Sequence, residues 1–410
     1  MTPAHDFLTL GDGIYRVEVP DVGVVLHVGR LRREHGDLIG ELTVTCNLAG
    51  ARRLTDEDII SVGNLNLSSI RARQERASYL AKRSQLTSDK FDWFGAVEYL
   101  CLRVIQAERV GQPAVLLRDV PKPSPETTWT VFGRPVLREH AMVDFGDGGT
   151  LKSYLALATA GELARRGIPT LYADWETSQD DHRGRLETLF GTDMPPVHYV
   201  RCEWPLVHEA DRLRRLILTH GIEYLICDSV AYGCDGPPEA AETANAYFRA
   251  LRQLRVGALL LAHITKSEQG DQRPFGSAFW HNSPRATWFL KRSEADGNSG
   301  QVTLGLFNRK HNNGPLLAAR GLKVTFGDRV TIEPTDLAAH TDFAAKLPTW
   351  QRMVGALKSG PLTIPELATA LDAKLDTVIK VVKRGEGRTF SRAQGADGKQ
   401  RIYLVERRTA

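Results

Sequence analysis

The spacing of apolar and polar residues changes character along the chain. Residues 13–46 alternate between apolar and polar positions, which predicts short antiparallel strands. Residues 66–83 and 91–109 change to helical spacing. A stretch rich in Pro, Ser and Thr follows at 120–128, and it predicts a linker because proline breaks both helices and strand ladders. We therefore predict a small α+β N-terminal domain over residues 1–119.

Strands and helices alternate over the middle of the chain, from about residue 129 to 334. The central strand candidates are apolar at nearly every position, as expected for parallel strands that helices cover on both faces. This pattern predicts an α/β core with a mainly parallel central sheet over residues 120–340. The predicted strands are 141–145, 170–174, 198–201, 224–228, 258–264, 286–290, 302–307 and 322–326.

The pattern of apolar and polar positions in the last 65 residues predicts a separate small domain over 346–410. An amphipathic helix is followed by a short capped helix with Pro365 in its first turn, by a third helix and by a hairpin. This order is that of a winged helix-turn-helix. The predicted spans are 350–357, 363–371 and 376–383 for the helices, and 389–392 with 401–405 for the hairpin.

Charge is concentrated in this C-terminal stretch. The chain has a net charge of +4, whereas residues 346–410 carry 13 Lys and Arg against 6 Asp and Glu, a balance of +7. Lys374, Lys380, Lys383 and Arg384 lie on or beside the third helix, which favours a polyanion such as duplex DNA as a partner. Docking of a protein remains the alternative, since small helical domains without nucleic acid share this pattern. A second basic group, interpreted as a solvated helix face, comprises Arg71, Arg73, Arg76, Lys82 and Arg83.

Composition argues against several other classes of protein. Apolar runs such as 258–262 are far too short to cross a bilayer, and the first residues lack the basic and apolar regions of an export signal. The five cysteines never occur in C-x-x-C spacing, which favours reduced thiols over zinc ligands. We expect a cytoplasmic protein without a membrane segment.

The richest segment for chemistry is 143–158, where an apolar run leads into a glycine-rich turn, then Lys152 and Ser153, then a helical pattern. It fits the phosphate-binding motif G-x-x-x-x-G-K-[ST], except that Leu151 replaces the second glycine and carries a steric cost at positive φ. Lys152 would bridge the β- and γ-phosphates, and the Ser153 hydroxyl would ligate Mg²⁺. A glycine-rich strand–helix connection is the alternative. The candidate nucleotide-binding residues are Gly146, Asp147, Gly148, Gly149, Thr150, Leu151, Lys152, Ser153 and Tyr154.

Polar residues also follow three other predicted strands. Asp174-x-Glu176, Asp228 and His263 each come at the end of an apolar run. In isolation they could be a loop-initiating pair, a helix cap and a strand-end histidine. At one edge of a parallel sheet, however, they would surround a γ-phosphate, where a carboxylate can orient the attacking water and another can hold Mg²⁺.

Together these features resemble the RecA-type ATPase core, in the branch of RepA-like hexameric plasmid helicases and KaiC-like ATPases. The resemblance covers about residues 110–335. It is carried by the loop and strand ends above, and by four further motifs: 120–123, 263–267, 275–280 followed by Arg285, and 308–315.

The resemblance implies ATP and Mg²⁺ as cofactors and assigns a role to each matching residue. Lys152 and Ser153 would bind phosphate and Mg²⁺, Asp228 would be the second metal-site carboxylate, Glu176 the catalytic base and His263 the γ-phosphate sensor. The loop 266–275 would face a central channel and contact single-stranded DNA. Arg309 and Lys310 would reach the nucleotide of a neighbouring subunit, so the resemblance implies a homo-oligomer, with a ring of six favoured.

Three functions follow from this sequence. The first is an oligomeric ATP-hydrolysing nucleic-acid motor or remodeller, similar to a replicative helicase. The second is an ATP-gated DNA-binding assembly factor that does not translocate, such as a recombination mediator or regulator. The third is a KaiC-like signalling ATPase whose C-terminal domain docks a protein.

Overall fold

A computed structural model describes residues 6–11, 13–87, 89–111, 114–122, 126–264, 273–294, 300–344, 347–395 and 397–405. The chain divides into two units, Met1–Lys122 and Pro123–Ala410. Among the described residues, none of the helices combines the length and apolarity that a bilayer crossing demands.

The first unit is an antiparallel meander with two helices. Its strands follow one another in the sheet in chain order. Alternate residues of the central strands are buried, as the period of two predicted, and they pack against apolar residues of both helices. The elements are β1 (Asp6–Gly11), β2 (Ile14–Val19), β3 (Val24–Glu34), β4 (Asp37–Cys46), β5 (Ile59–Asn66), α1 (Ile70–Ser84) and α2 (Trp93–Val110).

The arginines of α1 are not simply a solvated face, and that interpretation was wrong for three of them. Arg73 donates to the Leu67 carbonyl, Arg76 to the Asn64 carbonyl at 2.9 Å, and Arg83 to the Ile60 carbonyl at 3.2 Å. These carbonyls belong to β5, the edge strand, or to the residue just after it. The arginines therefore attach α1 by hydrogen bonds to the edge of β5 that pairs with no other described strand.

The second unit contains the predicted α/β core. It begins with a hairpin of β6 (Thr128–Val131) and β7 (Arg134–Leu137), which the sequence did not predict. Strands and helices then alternate as far as residue 292, after which three further strands follow one another. They are β8 (Ala141–Gly146), α3 (Lys152–Arg165), β9 (Thr170–Asp174), α4 (Gln179–Phe190), β10 (His198–Arg201), α5 (Leu206–His220), β11 (Tyr224–Asp228), α6 (Ala241–Gln253), β12 (Gly257–Ala262), α7 (Phe279–Asn282), β13 (Ala286–Arg292), β14 (Gln301–His311), β15 (Arg320–Thr325) and β16 (Thr331–Thr335).

The main sheet has nine strands in the order β10-β9-β11-β12-β8-β13-β14-β15-β16. The first six are mutually parallel and the last three are antiparallel, which confirms the predicted mainly parallel sheet. Helix α3 packs on one face, and α5 and α6 pack on the other. The carboxyl ends of the parallel strands share one edge of the sheet, called the carboxyl edge below, and the opposite side is the amino edge. Ligands of open α/β sheets bind at the carboxyl edge.

The chain ends in three helices and a hairpin, in the order that the sequence predicted. An isolated antiparallel bridge pairs Leu362 with Ile402 of the hairpin. A capping box between Thr363 and Glu366 starts the second of the three helices. These elements enclose an apolar cluster of their own. After α8 (Thr341–Ala344), they are α9 (Thr349–Leu357), α10 (Ile364–Ala370), α11 (Leu375–Gly385), β17 (Phe390–Gln394) and β18 (Gln400–Leu404).

Candidate functional site

The predicted phosphate loop, residues 146–153, connects the end of β8 to the start of α3. Gly149 has φ +74° and Leu151 has φ +57°, so the loop turns through two left-handed positions. The Thr150 hydroxyl donates to the Asp147 carbonyl at 2.8 Å and closes the turn. A side chain added at Gly149 would meet no atom within 4 Å, so the space above the loop is open. Strand, glycine loop and helix thus occur in the order that a phosphate site requires.

Leu151 occupies the strained position that the sequence indicated. A left-handed backbone costs an L-residue roughly 1–2 kcal/mol. The Leu151 side chain packs beside the apolar cluster beneath α3, which offsets part of that cost. Leu151 is also the N-cap of α3 and provides no side-chain cap, whereas Ser178 caps α4. The first N–H groups of α3 therefore remain available to an anion.

Lys152 points back over this loop. Its ammonium donates to the carbonyls of Gly146 at 3.0 Å and Asp147 at 2.8 Å, and to the Thr150 hydroxyl at 3.3 Å. Burial lowers the pKa of Lys152, and nearby carboxylates, Asp228 and Glu176 foremost, oppose that shift. The ammonium therefore lies over the loop, where the charges of Asp228 and Glu176 act on it.

Asp228 ends β11 and is buried at the same edge. The Tyr172 hydroxyl donates to its Oδ2 at 2.7 Å, and Ser153 also hydrogen-bonds it. Burial raises the pKa of Asp228, neighbouring carboxylates add to the rise, and the bonds from Tyr172 and Ser153 oppose it. A divalent cation would favour the ionised carboxylate at this position. The two residues predicted to hold Mg²⁺ are thus adjacent, and both offer the oxygen ligands that Mg²⁺ takes.

Asp174, at the end of β9, accepts hydrogen bonds from the turn that follows it. Its carboxylate accepts the backbone N–H groups of Glu176 at 2.9 Å and Thr177 at 3.1 Å, and the Tyr199 hydroxyl at 2.9 Å. Burial alone would raise the pKa of Asp174, but the hydrogen bonds from His182, the two N–H groups and Tyr199 outweigh it and hold the pKa well below its usual range. Asp174 therefore fixes the turn that carries Glu176 and is not free to accept a proton from water.

Asp174, His182 and Asp228 place one potential metal ligand each within 4.8 Å of one another, the one such group found among the described residues. His182 Nε2 is 2.8 Å from Thr177 Oγ1 and 3.5 Å from Asp174 Oδ2. Because Asp174 already accepts several hydrogen bonds, this group is better described as a buried polar network that supports Asp228 and the Glu176 turn than as a second metal site.

Glu176 and His263 lie at the carboxyl edge as predicted. Glu176 is exposed, and its charge acts on both Lys152 and Asp228. His263 directly follows β12, next to β8, and its carbonyl accepts the Phe275 N–H at 2.8 Å. Residues 265–272 lie outside the described residues, so the predicted contact of the 266–275 loop with single-stranded DNA has no structural test.

Arg309 and Lys310 are not part of this constellation in their own chain. Lys310 pairs with Thr287, which pairs with Val143, three residues before Gly146 in β8. The Arg309 guanidinium lies 5.6 Å from the ring of Phe289, which pairs with Phe145. Among the described residues neither cation forms a hydrogen bond or ion pair with the phosphate loop, and their predicted role in a neighbouring subunit has no structural test.

A buried ion pair beneath the phosphate loop was missed at the sequence level. Arg134 of β7 and Asp144 of β8 are 2.7 Å apart and have no exposed side-chain surface. Asp144 Oδ2 and two Arg134 nitrogens lack a hydrogen-bond partner, as do the nearby Tyr224 hydroxyl and the Trp288 indole on the strand beside Asp144. The sequence signal was a carboxylate inside the apolar run 141–145. Its partner could not be deduced, because the unpredicted hairpin supplies it.

Comparisons with known proteins add little to this geometry. No protein-family model and no curated protein matches the chain. Among solved structures, the chain is similar to a KaiC-like protein, PH0186, from Pyrococcus horikoshii OT3, with 15% identity, a TM-score of 0.40, and coverage of 49% of this chain and 91% of that one. It is also similar to the ATPase domain of G40P, with 12% identity, a TM-score of 0.38, and coverage of 47% and 84%. Scores of this size assign no residue, and the roles below rest on the geometry of this chain.

Proposed function

We propose that the chain is a Mg²⁺-dependent ATPase with a RecA-like core, acting as an oligomeric nucleic-acid motor or remodeller. The observation that carries this proposal is the position of the Lys152 ammonium, over an open glycine loop and facing the carboxylates of the strand ends. Such a cation beside an uncapped helix N-terminus is suited to bind the phosphates of a nucleotide.

The surrounding residues suit the remaining tasks of phosphoryl transfer. Ser153 and Asp228 would hold Mg²⁺, which when bound supplies charge neutralisation between the phosphates. Glu176 is an exposed carboxylate whose charge acts on both Lys152 and Asp228, and its turn is held by Asp174. Glu176 would orient the attacking water and accept its proton. His263, at the next strand end, would contact the γ-phosphate.

Assembly is part of this proposal. Arg309 is exposed and forms no ion pair among the described residues, so its charge is available to the nucleotide of a second copy of the chain. Supplying a transition-state cation in trans makes hydrolysis depend on assembly. We favour a ring of six. An ATP-gated DNA-binding factor without translocation and a KaiC-like signalling ATPase remain the alternative functions.

The C-terminal helices and hairpin are proposed as a winged helix that binds duplex DNA. Helix α11 exposes Lys383 and Arg384, and neither forms an ion pair within the described part of the chain. Lys380, by contrast, pairs with Asp376 at 2.6 Å, and Arg401 pairs with Asp397 at 2.7 Å. The charge available to a phosphate backbone is therefore smaller than the balance of +7 suggests, and it is concentrated at the end of α11.

Lys152→Ala should abolish ATP hydrolysis, because it removes the ammonium that faces the phosphates. The measurement is ATP turnover with Mg²⁺, with and without single-stranded DNA, with strand displacement as a second assay. Lys90→Ala, at an exposed lysine of the first unit, is the matched control. Undiminished hydrolysis by Lys152→Ala would contradict the phosphate-loop assignment. Stimulation by single-stranded DNA separates the nucleic-acid functions from signalling, and strand displacement separates a motor from an assembly factor.

Lys383→Ala/Arg384→Ala in the full chain should weaken duplex DNA binding and make it less salt-dependent. Each lost phosphate contact lowers the slope of log K against log salt by about 1. Titration of a DNA duplex at several salt concentrations measures that slope. Arg249→Ala/Arg252→Ala, which removes two exposed arginines of α6, controls for net charge. An unchanged affinity and slope would favour docking of a protein at α11.

A further inference from the structure

Helix α9 has two faces with different partners. Met353 and Leu357 are buried in the same apolar cluster as the buried residues of α11. Gln351 and Gly355 lie on the opposite face, because successive residues of a helix are about 100° apart. This second face contacts the α/β core. Helix α9 is therefore the element that joins the core to the helix proposed to bind DNA.

The Gln351 side chain binds the backbone of the core in the way that one strand binds another. Its amide nitrogen donates to the Ala319 carbonyl at 2.8 Å, and its amide oxygen accepts the Ala319 N–H at 3.0 Å. Ala319 is buried and immediately precedes β15. Because the amide provides both a donor and an acceptor, it satisfies both backbone groups of Ala319 and fixes the start of β15 against α9.

Other contacts dock α9 on the core beside this amide. Phe343 and Leu347, which precede α9, are buried in an apolar cluster of the core, and the Phe343 ring lies 6.0 Å from the ring of Phe307. A side chain at Gly355 would come within 2.8 Å of the Ala338 methyl group, so the glycine permits a close approach of α9. Helix α9 is thus packed against the core along its length.

A row of paired residues leads from this position across the sheet to the phosphate loop. Arg320, the residue after Ala319, pairs with Leu306 of β14. Leu306 pairs with Leu290 of β13, which pairs with Gly146, the first residue of the loop. A side chain at Gly146 would come 2.5 Å from the Leu290 carbonyl oxygen, so the loop backbone lies directly against this row. Strands are about 4.8 Å apart, so the row spans about 14 Å.

We propose that Gln351 is a positioning residue that couples duplex DNA on α11 to the nucleotide at the phosphate loop. This inference rests on the proposed function, which supplies both the DNA contact and the nucleotide site. DNA that orders α11 stabilises the docked position of α9 through the apolar face they share. The hydrogen bonds of Gln351 then hold β15, and through the row of strands the loop, in the arrangement that binds phosphate. Each ligand therefore favours the docked state of α9 and raises the affinity for the other.

The test measures each affinity in the full chain with and without the other ligand, using a nonhydrolysable ATP analogue so that turnover does not interfere. A saturating DNA duplex should raise the affinity for the analogue by about fivefold or more, the low end of the coupling typical of two linked sites. The analogue should raise the affinity for the duplex by the same factor, since linkage between binding sites is reciprocal. Gln351→Met keeps the length of the side chain and removes both hydrogen bonds. It should abolish both effects and leave each affinity measured alone unchanged.

Two further variants separate coupling from a structural role. Gln351→Glu keeps the shape of the side chain but loses the donor to the Ala319 carbonyl, so it should also lose the coupling and keep the melting temperature. Gln253→Met, at an exposed glutamine of α6, should behave as wild type.

The outcomes distinguish this inference from the function on which it rests. Coupling of wild-type strength in Gln351→Met, or no coupling in the wild type, overturns the inference and leaves the ATPase function standing. A lowered melting temperature in both Gln351 variants, with loss of either affinity measured alone, makes Gln351 structural and also overturns it. A wild-type chain that binds the analogue but no duplex overturns the inference and the DNA contact. A chain that binds no analogue overturns the proposed function as well.

Discussion

Glu176→Gln should bind ATP like the wild type and turn it over about 10²–10⁴-fold more slowly, the usual cost of removing a general base. The amide keeps the size of the side chain but cannot accept a proton. Single-turnover hydrolysis and ATP titration of the same preparation separate the two effects. Glu203→Gln is the matched control, since Glu203 is an exposed carboxylate after the neighbouring strand β10 and should be neutral in both assays.

Asp174→Asn distinguishes the two carboxylates of the Asp-x-Glu segment. Asp174 accepts the N–H of Glu176 at 2.9 Å and the Tyr199 hydroxyl at 2.9 Å, so its replacement should loosen the turn. We expect ATP affinity, turnover and melting temperature to fall together. If Asp174→Asn instead kept ATP affinity and stability and lost only turnover, Asp174 would be the base. A parallel loss of ATP affinity in Glu176→Gln would make Glu176 structural.

The sequence predicted the parts of this site that local pattern encodes. The apolar runs that end at Asp174 and Asp228 became strands with those bounds, because a buried parallel strand stops where its side chains must turn polar. The glycine spacing before Lys152 predicted the loop, and Leu151 was found at a positive φ, the strained backbone that the glycine position of the motif indicated. The helix–helix–helix–hairpin order of the C-terminus followed from spacing and capping alone.

Contacts between distant segments could not be predicted in this way. The Lys310 ammonium binds carbonyls 26 and 28 residues earlier, so the basic Arg309-Lys310 pair looked like two equivalent cations. The Tyr172 hydroxyl reaches Asp228 across 56 residues, although nothing in an apolar strand marks one tyrosine as a hydrogen-bond donor to the site. Register and sheet order create these contacts, and neither is visible in a local pattern.

Among these long-range contacts, we expect the loss of the buried Arg134–Asp144 pair to lower the free energy of unfolding most. Asp144→Ala leaves the Arg134 guanidinium buried without a counter-charge, and breaking a buried pair on one side costs about 3–5 kcal/mol. We therefore expect Asp144→Ala to lower the free energy of unfolding of the core by that amount. Urea unfolding followed by tryptophan fluorescence reports mainly on the core, since six of the seven tryptophans lie in the second unit.

The double variant Arg134→Met/Asp144→Leu should recover most of that loss, because removing both charges also removes the desolvation cost of each. The unpartnered atoms of Arg134, Asp144, Tyr224 and Trp288 indicate that polar groups here are incompletely satisfied by protein, so ordered water is expected among them. Since Asp144 lies two residues before Gly146 and its charge acts on Lys152, ATP affinity should be measured on both variants. A cost below about 1 kcal/mol for Asp144→Ala would mean that water already neutralises the site and that the pair does not anchor the hairpin to the phosphate-loop strand.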